Sequence, residues 1–184
     1  MQKTAQQQFD TLVVPHLESL FRVACRLTRN TADAQDLVQD TCVTAFGSLA
    51  ALGATDSPLK WLLRVQHNRF IDVERRRNRS PVVASEDTQD VAAVASELPD
   101  PESLLQQFQN ESLLVRAFLQ LEAMQRTLLA LRAEGYELPE IETITGVDRT
   151  VLSARLHRAR LRLAQILTDF NRDADKVRHI GSRT

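Results

Sequence analysis

Glycine is scarce in this chain, with five among 184 residues, too few for the repeated tight turns of a sandwich or barrel. Cys25 and Cys42 are the only cysteines; neither belongs to a CxxC pair, and no histidine and cysteine group has zinc-ligand spacing, which excludes a metal-built fold and leaves two free thiols as the reading. No apolar run reaches the ~18 residues of a membrane span. The opening MQKTAQQQFD lacks the apolar stretch of a secretory leader, so a soluble, cytoplasmic protein with no membrane insertion is expected. There is no phosphate-binding glycine loop and no nucleophile motif, and His16, His67, His157 and His179 are far apart in sequence. Neither catalysis nor a cofactor or metal is expected.

What remains is an ordinary globular composition, 43% hydrophobic and 26% charged, dominated by helix formers. An all-α fold follows, and the length suits two small helical domains. The net charge of −1 conceals a pattern. Residues 1–80 hold 11 basic and 8 acidic groups, residues 81–110 hold 6 acidic and no basic ones, and residues 111–184 hold 12 and 10. Two mildly basic lobes thus flank an acidic strip containing Glu86, Asp87, Asp90, Glu97, Asp100 and Glu102. That strip has no amphipathic period and carries prolines at both ends, the composition of an interdomain linker. Basic lobes beside an acidic strip predict that in the free protein the lobes pack together, hiding the Asp36 to Asp40 surface and the later arginine-rich helix.

In the first lobe, Phe9, Leu12, Val13, Leu17, Leu20, Phe21, Ala24 and Leu27 recur at helical spacing, and Pro15 starts or kinks a helix. Thr31 is the expected N-cap of a helix carrying DAQDLVQDTCVTAF, with Leu37 inward and Asp36, Gln39 and Asp40 on the wet side. After a short loop from Gly53 to Asp56, Ser57 and Pro58 read as cap and first position of a long helix. Its core stripe is expected at Leu62, Val65 or Gln66, Arg69 or Phe70, and Val73. Trp61 near its start, with basic and amide groups downstream, is chemistry that suits unpaired bases, although a lone tryptophan is more often core and the terminal RRRNR equally suits a helix C-terminus.

The second lobe is expected to open on Asp100, Pro101 and Glu102 and run through Leu104, Leu105, Phe108, Leu113, Val115 and Phe118. A second helix, LEAMQRTLLALRAEG, ends at Gly135, a natural C′ residue. LPEIETIT, a turn at Gly146 and a longer helix from Arg149 to about Phe170 have the layout of a helix-turn-helix. On the last helix Leu152, Leu156, Ala159, Leu163 and Ile166 form an apolar stripe. Arginines and His157 occupy the remainder, and arginine suits guanine edges and phosphates.

Taken in order, DAQDLVQDT, the W-L-L-R-V-Q-H-N-R-F-I-D-V-E-R-R helix, the acidic linker, and E-G-x(4)-E-I-x(4)-G-x(8)-R-L-H-R-A-R resemble the extracytoplasmic function group of sigma-70 family RNA polymerase sigma factors. The resemblance spans about Phe9 to Leu167. It implies a region 2-like domain over 1–80, an acidic linker over 81–101, a region 4-like helix-turn-helix domain over 102–170, and a tail over 171–184. It further implies that Asp36, Leu37, Gln39 and Asp40 dock on the β′ clamp helices of core RNA polymerase. Trp61, Arg64, Asn68 and Asp72 would open the −10 element, with the Gly53 to Ser57 loop reading a flipped base. Arg149, Ser153, Arg155, His157 and Arg158 would read −35 promoter DNA. Expected partners are core polymerase through β′ and the β flap, promoter DNA and an anti-sigma factor.

The chain departs from the family pattern at Pro58, Leu59 and Lys60 before the tryptophan, at Glu142 and Thr145 in the helix-turn-helix, and at Thr150 to Ala154. Glu142 stands where a small residue is usual and is expected to need solvent or a partner such as a nearby arginine. These departures imply an altered −35 preference. They also keep open a second function, a sigma-like interaction protein that binds polymerase or a regulator without directing initiation.

Overall fold

The structure, a computed structural model, describes residues 4–79 and 112–181. The expected linker and the Asp100 to Phe108 portion of the second lobe lie outside the described residues. Every regular element within them is helical, as the composition requires: α1 (Ala5–Leu12), a 3-10 turn (Val14–His16), α2 (Leu17–Thr28), α3 (Thr31–Phe46), α4 (Leu49–Gly53), α5 (Pro58–Arg79), α6 (112–119), α7 (Ala123–Ala133), α8 (Leu138–Thr145) and α9 (Arg149–Gly181).

Local chemistry sets most boundaries. Thr4 and Gln7 form a reciprocal capping box on α1, satisfying two otherwise orphaned N–H groups. Pro15 occupies the 3-10 turn before α2. Asn30, not Thr31, caps α3: its Oδ1 accepts from the Asp33 N–H at 3.0 Å. Asn30 can do so because Arg29 turns the chain through a left-handed φ of 56°, leaving Asn30 extended and Thr31 as the first helical residue. At the end of α7, Gly135 has φ +90°, the Tyr136 N–H reaches Leu131 O at 3.0 Å, and the Gly135 N–H reaches Arg132 O at 3.1 Å. This paired pattern is a Schellman motif, and it needs a residue at ease in the left-handed region.

The long helix exceeds its expected end, continuing past Phe170 to Gly181. α5 also buries more than expected. Leu62, Leu63, Gln66, His67 and Phe70 are all buried, because two partner surfaces share it. Leu62 and Gln66 face the first lobe, where Gln66 donates from Nε2 to Leu20 O at 2.9 Å, and Phe70 lies at the seam, lining the groove beside α3 on one side and meeting Arg126 of α7 on the other. Leu63 and His67 lie further round the helix, toward the second lobe, and His67 Nδ1 sits 3.2 Å from Thr127 Oγ1 on α7.

The two lobes therefore pack on one another. Leu63 and Phe70 of α5 join Leu128, Leu131, Ile141 and Ile144 of α7 and α8 in one continuous apolar cluster. Polar links surround it. Glu134 accepts from Arg22 at 3.2 Å and from Arg26, and Lys60 Nζ lies 3.4 Å from Glu140. Arg126, buried on α7, pairs with Glu74, donates to Leu27 O at 3.3 Å and lies over the Phe70 ring. A reciprocal stack places Arg29 over Phe118 of α6 at 5.7 Å. Each fully buried leucine contributes about 2 kcal/mol, whereas a partly exposed ion pair contributes about 0–1 kcal/mol. Apolar burial holds the lobes together, and the charges fix their register.

Candidate protein-docking groove and nucleic-acid interface

The first surface grows out of α3. Its apolar positions Ala34, Leu37, Thr41 and Ala45 are buried, which turns Asp36, Gln39 and Asp40 to solvent. These residues border a groove of about 440 Å³ between α3 and α5. Leu37, Phe70 and Val73 supply apolar lining; Asp33, Asp36, Asp40 and Glu74 add four carboxylates against one lining guanidinium, Arg77, Glu74 being held also by the buried Arg126. Arg77 is already held by Asp33 at 3.0 Å and Glu74 at 3.6 Å. Among the described residues Asp36 and Asp40 have no ion pair, so the groove keeps two open carboxylates. Leu37 is 6% exposed and belongs to the groove's lining rather than its rim. Val43 and Phe46, 67% and 50% exposed, continue the outer face of α3 with apolar surface. Sequence reasoning missed them; Val43 follows Asp36 and Asp40 at helical spacing, which was the available signal.

The second surface lies along α5. Trp61, Arg64, Asn68 and Asp72 fall on one stripe spanning about 16 Å of helix. Arg64, Asn68 and Asp72 are exposed, and Trp61 is half-buried against the core. Arg64 stands at the edge of the stripe nearest the second lobe, its Nη2 3.8 Å from where a Cβ on Gly146 would lie. In this closed arrangement one end of the stripe is therefore covered by the turn of the helix-turn-helix.

The third surface is α9. Leu152, Leu156, Ala159 and Ile166 are buried, and Arg149, Ser153, Arg155, His157 and Arg158 are all exposed. Helical geometry separates them: Arg155, Arg158 and Arg162 share one flank, Arg149, Ser153 and Arg160 the other, and His157 lies between. Among the described residues none of these five helix arginines from Arg149 to Arg162 is ion-paired. Arg158 reaches only its own helix, at Ala154 O, and Arg162 only Gln165.

The lobes pack together as expected, joined by the apolar seam and its ion pairs, while the acidic strip lies outside the described residues; closure hides neither surface named in that expectation. Asp36, Gln39, Asp40 and the α9 arginines stay open because the second lobe docks through α7 and α8 on α2 and α5, leaving the outer faces of α3 and α9 free. Closure covers the Lys60, Leu63 and His67 side of α5 instead.

Glu142 and Thr145 fit their sites. Glu142 is half-buried and Oε1 accepts from the Arg149 backbone N–H at 3.1 Å; its partner is a main-chain amide rather than an arginine side chain. Thr145 Oγ1 donates to Ile141 O at 2.7 Å and accepts from the Val147 N–H at 3.3 Å. Among the described residues no His, Cys, Asp and Glu group has the arrangement to hold a metal ion, and no helix is long and apolar enough to cross a membrane.

Comparison with known proteins accounts for both lobes. Residues 12–80 match Sigma-70 region 2. The chain is 30% identical over 146 residues to the ECF RNA polymerase sigma factor SigL of Mycobacterium tuberculosis, covering 78% of this chain and 80% of that protein. It is 32% identical over 168 residues to the ECF RNA polymerase sigma factor SigE of Mycolicibacterium smegmatis, covering 90% of this chain but 63% of that longer protein. Among solved structures it resembles the sigma factor RpoE of Bartonella quintana, crystallised with the anti-sigma factor NepR, at a TM-score of 0.66 and 26% identity over 87% of this chain and 96% of that one. The chain belongs to the extracytoplasmic function group of RNA polymerase sigma factors.

Proposed function

We propose that the protein is a promoter-specificity subunit of RNA polymerase, acting in the cytoplasm and carrying out no catalysis of its own. The observation that carries this reading is the row of exposed, unpaired arginines on the second helix of a helix-turn-helix, in a chain of this family. Arg149, Arg155, Arg158 and their neighbours Ser153 and His157 would enter the −35 major groove, arginine bridging guanine acceptors and phosphates. The acidic groove of α3, bordered by Asp36, Gln39 and Asp40 over Leu37, suits a helix of the polymerase β′ subunit that presents basic and apolar side chains together. Trp61, Arg64, Asn68 and Asp72 supply stacking and edge contacts to the separated −10 strand, offsetting the few kcal/mol that unstacking a base costs. The domain over 1–80 thus joins polymerase and opens DNA, and that over 102–170 reads −35 and meets the β flap.

The likeness to a sigma factor crystallised with an anti-sigma factor supports an anti-sigma partner here. The interaction-protein alternative loses its main ground, because Glu142 and Thr145 are bonded parts of an intact helix-turn-helix.

Transcription from a promoter library by purified core polymerase, with and without the protein, tests the proposal. New start sites sharing −10 and −35 elements are expected, and Arg158→Ala should weaken −35-dependent initiation roughly 5- to 100-fold, the scale of one lost arginine contact to a base. Failure to bind core polymerase, or an unchanged set of start sites, would overturn it.

A further inference from the structure

The recognition helix of a helix-turn-helix brings its N-terminal end to the DNA, and free amides at a helix N-terminus are a ready site for phosphate. In α9 those amides are taken by the protein's own groups. The Arg149 N–H donates to Glu142 Oε1 at 3.1 Å, and the Thr150 N–H to Asp148 Oδ1 at 2.8 Å. The Val151 and Leu152 N–H groups both reach Asp148 O. Thr150 Oγ1 adds a second donor to Asp148 Oδ1 at 2.5 Å. Two carboxylates thus stand at the end of the helix where a phosphate would otherwise be welcomed.

Glu142 holds the turn from both sides. Its main-chain carbonyl accepts the Gly146 N–H at 2.8 Å, closing α8, while its side chain accepts the Arg149 N–H, opening α9. With Thr145 bonded to Ile141 O and the Val147 N–H, the segment from 146 to 148 is pinned to the helix before it and the helix after it.

From these contacts we infer that Glu142 is a positioning and specificity residue for promoter reading: it fixes the angle of α9 on α8 and, with Asp148, closes the helix start to phosphate. DNA contact then falls to side chains and not to the amides at the helix start: Arg149, Ser153 and His157, together with the flank of Arg155, Arg158 and Arg162, whose three guanidiniums span about 10 Å. The inference rests on the −35 reading proposed above. It turns a departure from the family pattern into a device that lowers indiscriminate phosphate attraction and leaves discrimination to the arginines.

Two substitutions separate charge from geometry. Glu142→Gln keeps an oxygen for the Arg149 N–H and removes the charge; Glu142→Ala removes both. In holoenzyme assembled with core polymerase, promoter binding is measured against salt and against −35 substitutions. Glu142→Gln is expected to bind about 3- to 10-fold more tightly at low salt, as loss of one like charge near phosphate implies. Its salt dependence should steepen by up to about one phosphate contact, with −35 preference retained. Glu142→Ala should steepen similarly but lose −35 discrimination, which Glu142→Gln restores; a purely structural role would leave the salt slope of Glu142→Gln unchanged. Unchanged affinity and slope in Glu142→Gln, with wild-type holoenzyme still dependent on −35, would overturn the inference alone. A wild type with no −35 dependence would overturn the parent reading as well.

Discussion

His67 shows how one residue can report on the whole closure. Burial, and after it the charge of Arg64, push its pKa down to about 4 from the ordinary 6.5, so the imidazole is neutral where it meets Thr127. Between those two values the unfolded chain binds a proton that the folded chain refuses, and stability therefore falls as pH drops from 6.5 toward 4. Denaturant unfolding at pH 5 should show a loss of about 2 kcal/mol from this group relative to pH 7. His67→Gln, which cannot take the proton, should lose correspondingly less; an identical loss in both proteins would contradict the burial account. The sequence could not reveal this site. His67 falls one position beyond the Gln66 stripe, and only the docking of α7, 60 residues later in the chain, makes it interior. Arg126 is hidden for the same reason: it reads as a surface arginine until Glu74, Leu27 and Phe70 surround it.

Elements were the most legible scale. α8 spans the expected LPEIETIT, α9 starts at the expected Arg149, α5 begins at Pro58, and Gly135 ends α7 as its residue type demanded, since all four rest on local signals of cap, proline and glycine chemistry. Misjudgements arose where two local signals competed. Asn30 and Thr31 are both good caps, and the left-handed Arg29 decides in favour of Asn30. The helix end expected near Phe170 rested on fading apolar periodicity, which marks the end of packing and not of helical hydrogen bonding. Gly135 offers the cleanest check at this scale. A Cβ there would meet nothing within 4 Å, so Gly135→Ala pays only for its φ of +90°, about 1–2 kcal/mol. Thermal unfolding should show that decrease, and an unchanged midpoint would contradict the Schellman assignment.

At the scale of the molecule, family order and charge pattern predicted two lobes that pack, but not which faces would meet. Complementary charges on distant helices carry no sequence mark of their pairing, and the prediction erred in placing the α3 and α9 surfaces inside. The closed form nevertheless has a consequence for function. A compact chain of this length has a radius of gyration of about 16 Å and a diameter on the order of 40 Å. Elements centred at −10 and −35 are separated by about 25 base pairs, or about 85 Å of duplex. One molecule reading both must therefore separate its lobes, freeing Arg64 from the Gly146 turn and Lys60 from Glu140.

The Lys60 to Glu140 contact makes that opening directly measurable. The chain has only three lysines, Lys3, Lys60 and Lys176, and Lys60 Nζ lies 3.4 Å from the Glu140 carboxylate. Zero-length carbodiimide coupling, read by peptide mass spectrometry, should join Lys60 to Glu140 in the free protein at low salt. The link should disappear once core polymerase and a promoter carrying both elements are bound. A link of equal yield in the transcribing complex would contradict an account in which one chain opens to hold polymerase through α3 and read DNA through α5 and α9.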